Sequence, residues 1–316
     1  MKPRWNCVSG AYVINLANSF NGQTQKISNA FPDEATRPTK GGMAAKAQNI
    51  LVLGSDSRGD SVDMANEGAA SNQRSDTMMW VHIPGDRKNI VMMSIMRDTW
   101  VDIPGHGQAK INAAMAFGGV PLVVQTLEGM FKAWLDHVAI VDFEGFKAIT
   151  DALGGVEVKV PIAFTSSGSD GFTFAAGSQR MNGDQALAFV RERYAFTDGD
   201  YQRVRNQQLF LKSVMSTALT PATLINPAKI SDLVSQVSPF VSVDAGLDAA
   251  AMGSLAVGLR DVRSSNVLFF TLPNLGTGTS PDGQPIVVKD NAAISGIAVA
   301  IGLDSLASYM KKNGLG

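Results

Sequence analysis

Cysteine is almost missing from this chain. Cys7 stands alone, which excludes an internal disulfide and a multi-cysteine zinc site. Histidine is scarce as well. His82, His106 and His137 are far apart and lack the spacing of metal ligands, so they read as structural or surface residues. Neither sign of charge is in excess. The formal net charge of the 316 residues is −1, which leaves no basic face for nonspecific nucleic-acid binding. No uninterrupted apolar run reaches the roughly eighteen residues that mark a transmembrane helix. The N-terminal MKPRWNCVSGAYVINLANSFNGQ has a weak apolar patch interrupted by Asn and Ser and does not read as a signal peptide. The chain is therefore expected either to be cytosolic or to begin after an anchor that was removed. Internal repeats and low-complexity tracts are also absent.

What is present describes a folded, rather apolar protein: 45% hydrophobic and 17% charged residues, enough to bury a large core. Residues 1–46 are polar and punctuated by Gly, Pro and Thr, and read as a linker-like arm with one short helix. The pattern changes at Asn49. NILVLG, DTMMWVHI and NIVMMSI are short apolar runs bounded by turn residues, as buried strands are. The last two are separated by PGDRK and predict a hairpin. INAAMAFGGVPLVVQTLEGMFKAWL has helical spacing. HVAIVDF then predicts a strand, GFKAITDAL a helix, GVEVKV a half-buried strand, NGDQALAFV a short helix and DYQRVRNQQLFLKSVMSTAL a longer one. ISDLVSQVSPF and LDAAAMGSLAVGLRDV predict further helices. NVLFFTLP and PIVVKD predict strands, and NAAISGIAVAIGLDSLASYM a final helix. Alternating strands and helices imply an α/β protein with a mixed sheet covered on both faces. Residues 47–312 contain no strong linker and form one expected domain.

The polar residues are less ordinary. Arg191, Arg193, Asp200, Arg203 and Gln207 fall in one stretch of a chain that is not otherwise basic. A guanidinium is planar, permanently charged and forked, which suits two-point binding of phosphate oxygens. Arg203 and Gln207 share one face of a helix, with Asp200 near its start. Arg191 and Arg193 point the same way only in an extended segment, so the NGDQALAFV helix is expected to end near Val190. Three more Arg/Asp pairs flank apolar strands: Asp56 and Arg58 in GSDSRGD, Arg74 and Asp76 in RSDTMM, and Arg97 and Asp98 in SIMRDTW. Taken singly, each is most simply a surface arginine or a turn residue. Together at strand ends they predict a site for Mg²⁺ and a pyrophosphate.

These segments, with KINAAMAFGG, VDFEGFKAITDALGGVEVKVP and QRMNGDQALAFVRER between them, resemble the LytR-CpsA-Psr family in order and spacing. The likeness runs from about Asn49 to Ser216 and continues weakly through FFTLP and a DGQ turn. It implies an α/β/α sandwich with a long apolar groove for a lipid tail. It also implies a cell-envelope phosphotransferase that moves a glycopolymer from a polyprenyl-pyrophosphate carrier to peptidoglycan through a phosphodiester, helped by Mg²⁺ or Mn²⁺. Such proteins sit outside the cytoplasmic membrane on an N-terminal membrane helix, which this sequence does not show; a monomer is expected. Carried over, Asp56 and Asp76 match the metal-associated aspartates. Arg97, Arg191, Arg193, Arg203 and Gln207 match the pyrophosphate-holding residues, and Arg74, Asp98 and Lys110 match motifs without a settled role. Asp98 is the nearest candidate for the base that activates the acceptor hydroxyl. Phe117, Val124, Leu127, Phe131, Trp134, Phe143, Phe146, Ile149 and Leu153 lie on elements that would wall the groove, although for most of them ordinary core packing is the stronger reading. One departure is Asn206, where the family usually has arginine; Arg205 is the available substitute. VRNQQ and RERYAFTDGDY have an actinobacterial character, pointing to arabinogalactan as the polymer. A pyrophosphatase using water would need the same residues. A non-catalytic lipid-pyrophosphate sensor would gain nothing from the paired aspartates.

Overall fold

The computed structural model describes residues 5–55, 75–168, 171–220, 223 and 226–316. In chain order its elements are α1 (Trp5–Gln23), β1 (Gln25–Ile27), β2 (Gln48–Ser55), β3 (Ser75–Ile83), β4 (Ile90–Ile95), β5 (Trp100–Ile103), β6 (Gly107–Lys110), α2 (Ala113–Phe131), β7 (His137–Val141), α3 (Phe143–Ala152) and β8 (Val156–Val160). There follow β9 (Phe164–Thr165), β10 (Thr173–Phe174), β11 (Gly177–Met181), α4 (Gly183–Arg191), α5 (Asp200–Ala218), α6 (Pro227–Val237), β12 (Val241–Asp244), α7 (Ala249–Gly258), β13 (Val267–Thr271), β14 (Asn274–Thr279), β15 (Pro285–Lys289), α8 (Asn291–Gly302) and α9 (Leu306–Lys312).

Seven strands form one mixed sheet in the order β1-β12-β7-β2-β3-β4-β13. Strand β2 lies at its centre because its alternate residues are apolar on both sides. Leu51 and Leu53 face one core, while Ile50 and Val52 face another. It pairs antiparallel with β3 and parallel with β7. The expected hairpin forms between β3 and β4. On the first face, Leu51, Trp80 and Met93 pack against Val123, Leu127 and Phe131 of α2, Ile297 of α8 and Leu306 of α9. Trp80 meets Phe131 edge-on, with ring centroids 5.2 Å apart. Each fully buried side chain of this size contributes about 1.5–3 kcal/mol from area alone. The second face is covered by α5 and α7 through Leu211, Met215, Ala251 and Leu255. A third cluster joins the β8–β11 ribbon to α4 and α5 through Val158, Met181, Phe189 and Phe210. The result is the α/β/α sandwich.

Several local expectations change. The described part of residues 1–46 is not a loose arm: β1 pairs with β12 in the main sheet, and Ile27 and Ala30 are core residues. Arg37 lies over the rings of Phe31 and Trp134, 4.4 and 3.4 Å from their centroids, and bonds Glu128 at 2.7 Å. That buried ion pair straps the arm to the end of α2. Helix α2 itself is kinked, because Gly118 and Gly119 leave helical geometry just before Pro121. Among the described residues it is the one helix long and apolar enough to cross a membrane, yet 61% of its apolar 18-residue window is buried inside the protein. It is a core helix. The single C-terminal helix is two, divided where Asp304 turns left-handed (φ 52°) and accepts the Gly85 N–H at 2.9 Å.

Candidate active site

The site begins with the start of α5. Gly199 precedes it with φ 46°, a conformation that side chains rarely adopt. Asp200 opens the first turn and meets Arg203 one turn on, at 3.0 Å. The same carboxylate faces Arg193 Nη1 at 3.6 Å and Arg97 Nε at 3.5 Å. Asp200 thus gathers three guanidiniums from three separate elements. Its role in placing α5 widens into that of a hub. Glu192 is buried and accepts the N–H groups of Ser167, Arg193 and Ala195, which fixes the loop between α4 and α5. Burial pushes its carboxyl pKa up, but the Ser167 and Ala195 N–H groups and the Ser167 hydroxyl outweigh this and hold it below its ordinary value.

Helix α4 runs one residue further than the spacing predicts and ends on Arg191. Its start is fixed by a reciprocal capping box between Asn182 and Gln185. Arg191 still reaches the same place, with its guanidinium 4.3 Å above the Phe143 ring. Gln207 donates to Thr77 Oγ1 at 3.1 Å and to the Val190 carbonyl at 3.4 Å, tying α5 to β3 and α4.

Arg97, Arg191, Arg193, Arg203 and Gln207 all border one cavity of about 350 Å³ between the second face of the sheet and α3, α4 and α5. Below that polar rim the walls are apolar: Val52, Met79 and Met92 from the sheet, Phe146 and Ile149 from α3, Leu187 and Val190 from α4, and Phe210 and Leu211 from α5. Three guanidiniums gather round one carboxylate, and a fourth, Arg191, joins them at the rim of an apolar chamber. Such an arrangement suits a ligand with a strongly anionic head and an apolar tail. A larger concavity, about 1070 Å³, lies on the opposite side of α5 between β13 and α9. It contains none of the expected site residues, so its size does not make it the site.

The other expected residues fall into three groups. Asp98 and Lys110 do not line the cavity. Lys110 Nζ lies 3.2 Å from Asp98 Oδ1, and Asp98 Oδ2 lies 3.7 Å from Arg97 Nε. With Val287 N donating to the Asp98 carbonyl at 2.9 Å and Asn112 N to that of Arg97 at 3.2 Å, they buttress Arg97 from behind. Phe117, Val124, Leu127, Phe131, Trp134 and Leu153 do not wall the cavity either. Val124, Leu127 and Phe131 pack on the opposite face of the sheet, Phe117 stacks on His106, Trp134 receives Arg37, and Leu153 packs in the β8–β11 cluster. Of the nine expected groove residues, Phe143, Phe146 and Ile149 border the chamber. The spacing of α2 showed an apolar helix but not which face of the sheet it covers.

Asp56, Arg58 and Arg74 lie outside the described residues, as does the side chain of Asp76. Among the described residues no group of three His, Cys, Asp or Glu side chains could hold a metal ion.

Asn206 does not face the rim. It is 1% exposed, accepts from Gln202 at 2.8 Å and donates to the Phe189 carbonyl at 3.4 Å. Arg205 does not replace a rim arginine: it bonds Gln202 and Asp198 and borders the larger concavity. Two histidines are structural and His106 is at the surface. His82 is buried against Asn49 and Asp304, and His137 bonds Asp244.

Sequence reasoning missed Asp142, Thr77 and Tyr194, all of which border the cavity. Asp142 caps α3 by accepting the Gly145 N–H at 2.7 Å, and burial pushes its carboxyl pKa up. The Asp-x-x-Gly pattern marks a cap but not its nearness to the rim.

The LytR_cpsA_psr family model matches residues 12–297. The cell wall biosynthesis protein LcpA of Corynebacterium glutamicum is 31% identical over 286 residues, covering 79% of this chain and 54% of LcpA. The chain therefore spans about half the length of that relative. The polyisoprenyl-teichoic acid–peptidoglycan teichoic acid transferase TagU of Bacillus anthracis is 33% identical over 218 residues, 68% of each chain. The crystal structure of TagV of B. subtilis superposes with a TM-score of 0.68 at 25% identity, covering 82% of this chain and 98% of TagV.

Proposed function

The chain belongs to the LytR-CpsA-Psr family, and from that premise we propose that it transfers a glycopolymer from a polyprenyl-pyrophosphate carrier to peptidoglycan. The observation that carries this reading is the ring of Arg97, Arg191, Arg193 and Arg203 around the mouth of an apolar chamber. The prenyl tail enters the chamber and the two phosphates remain at the rim. A peptidoglycan hydroxyl attacks the sugar-linked phosphorus. A new P–O bond forms, the bond from phosphorus to the bridging oxygen breaks, and prenyl phosphate leaves with that oxygen, the hydroxyl proton passing through solvent to the departing phosphate. Negative charge builds on the non-bridging oxygens and the departing phosphate. Fixed guanidiniums meet that charge without having to reorganise. Asp200 keeps Arg97, Arg193 and Arg203 at their spacing, and Asp98 with Lys110 holds Arg97 from the other side.

Asp56 and Asp76 are the proposed holders of Mg²⁺ or Mn²⁺, which when bound would offset phosphate charge. Their neighbours fit the role. Asp76 precedes Thr77, whose hydroxyl bonds Gln207 at the rim, and Asp56 follows Ser55, paired with Ser75 across the β2–β3 ladder. The donor is lipid-borne and the acceptor lies in the wall, so the domain is placed at the outer face of the cytoplasmic membrane. We propose arabinogalactan as the polymer; parallel assays with arabinogalactan and teichoic acid donors test that choice.

The test of the reaction is Arg203→Ala, since Arg203 is 6% exposed and reaches both Asp200 and the cavity. Release of prenyl phosphate with phosphodiester product should fall about 10²–10³-fold in protein shown by circular dichroism to be folded at the assay temperature. An Arg203→Ala protein as active as the parent would overturn the assignment. Prenyl phosphate released without a phosphodiester would make water the acceptor.

A further inference from the structure

One rim residue has no part in the chemistry above. Tyr194 borders the cavity yet is 72% exposed. Its loop is not slack, because Glu192 accepts the N–H groups of Arg193 and Ala195 on either side of it, each at 2.9 Å. The other aromatic residue of the loop, Phe196, turns inward and meets Phe164 edge-on at 4.8 Å. Only Tyr194 faces out. The Arg193 guanidinium lies 4.5 Å from its ring centroid and donates to its hydroxyl. The ring is thus backed by a cation on one side and open to solvent on the other.

A single exposed aromatic on a protein surface is unremarkable. Here the position decides. Around the one cavity, side-chain exposure rises from Arg203 (7%) through Arg97 (18%) to Arg193 (32%), and Tyr194 is 72% exposed, so the ring is the outermost of these groups. A lipid-pyrophosphate-glycan runs the same way, with the pyranose next after the phosphates. One face of a pyranose carries C–H groups of slight positive charge, and an aromatic face is negative. Stacking on a rigid ring also orders few torsions. We propose that Tyr194 is the platform on which the first sugar of the donor stacks, so that it selects glycosylated over bare lipid pyrophosphates. This rests on the lipid-pyrophosphate reading given above.

Calorimetric binding of two ligands tests it: farnesyl pyrophosphate, and farnesyl pyrophosphate bearing one N-acetylglucosamine. The parent protein should bind the sugar-bearing ligand more tightly. Tyr194→Ala should weaken that ligand about tenfold, matching the size of other ring-stacking contacts, and the bare one less than about twofold. Tyr194→Phe, which keeps the ring and loses the hydroxyl, should stay within about twofold of the parent for both. Equal losses for both ligands in Tyr194→Ala would mean that the ring only supports Arg193. No loss for either would mean that it touches no sugar. Both results overturn the platform and leave the pyrophosphate site standing. If the parent binds neither ligand, the lipid-pyrophosphate reading falls and the platform with it.

Discussion

The two faces of the sheet are built from the same strands and do different work. On the first face the buried apolar side chains of β2, β3 and β4, Leu51, Trp80, Val91 and Met93 among them, form one packed cluster with α2, α8 and α9. On the second face the same strands offer Val52, Met79 and Met92 to a space that α3, α4 and α5 enclose but do not fill. A protein interior is normally close-packed, so an unfilled chamber weakens packing locally. The chamber lies below the guanidinium rim, where a tail attached to a phosphate would need it. One face supplies stability, and the other gives some of it up for a binding volume.

The largest effect expected of this comparison is on stability. Phe131→Ala, on the closed face, should cost about 3–5 kcal/mol in denaturant unfolding, because a fully buried ring leaves a hole that the surrounding sheet and helices cannot close. Phe146→Ala, on the chamber wall, should cost only about 1–2 kcal/mol, even though Phe146 contacts Phe210 at a ring distance of 4.7 Å. Its removal enlarges a space that already exists. Instead it should weaken binding of a prenyl pyrophosphate. Equal costs at the two positions would break the distinction between the faces.

That distinction was only half legible in the sequence. The β2 and β3 runs show their two-sided burial, because both sets of alternate residues are apolar. The rim arginines were legible too, since their charge contrasts with a nearly neutral chain, and the family resemblance assigns them one ligand. The lipid wall was legible only in part, through Phe143, Phe146 and Ile149 of α3. Leu127 and Phe131 have the same composition and spacing as real wall residues, and only the packing of α2 puts them across the sheet. The arm at 1–46 misled for a related reason. Its Gly, Pro and Thr residues read as linker, while Arg37 is held by Phe31, Trp134 and Glu128, partners up to 97 positions away in the sequence. Nor does Asn206 look local to any sequence rule. Its side chain bonds Gln202 one turn earlier and a carbonyl of α4, so the missing family arginine leaves no gap at the rim.

A second, smaller effect sharpens the account of the rim. Asp200→Asn removes the one anion shared by Arg97, Arg193 and Arg203. Three guanidiniums then repel one another, and their spacing is no longer set before the ligand arrives. Transfer should fall about 10- to 100-fold, the size expected when positioned charge loses its support. Inorganic pyrophosphate should bind the variant at least as well as the parent, because the site has lost a competing anion. Loss of pyrophosphate binding in parallel with activity would mean that Asp200 is needed to form the site itself.

The smallest effect concerns the loop that carries Arg193 and Tyr194. Glu192 is held ionised by the N–H groups of Ser167, Arg193 and Ala195 and by the Ser167 hydroxyl. Its carboxyl pKa is lower in the folded protein than its ordinary value, so the folded state favours the carboxylate more than the unfolded chain does. The stabilisation is therefore complete above the unfolded value of about 4.3 and is lost as the pH falls through the folded one. Glu192→Gln presents an amide N–H₂ to donors that need an acceptor, and should cost about 1–2 kcal/mol at neutral pH. Below the folded pKa the parent carries a neutral carboxyl as well, so the gap between the two proteins should narrow. Urea unfolding of both from neutral pH to about pH 3 measures it. A gap that stays constant over that range would show that Glu192 holds the loop by shape rather than by charge.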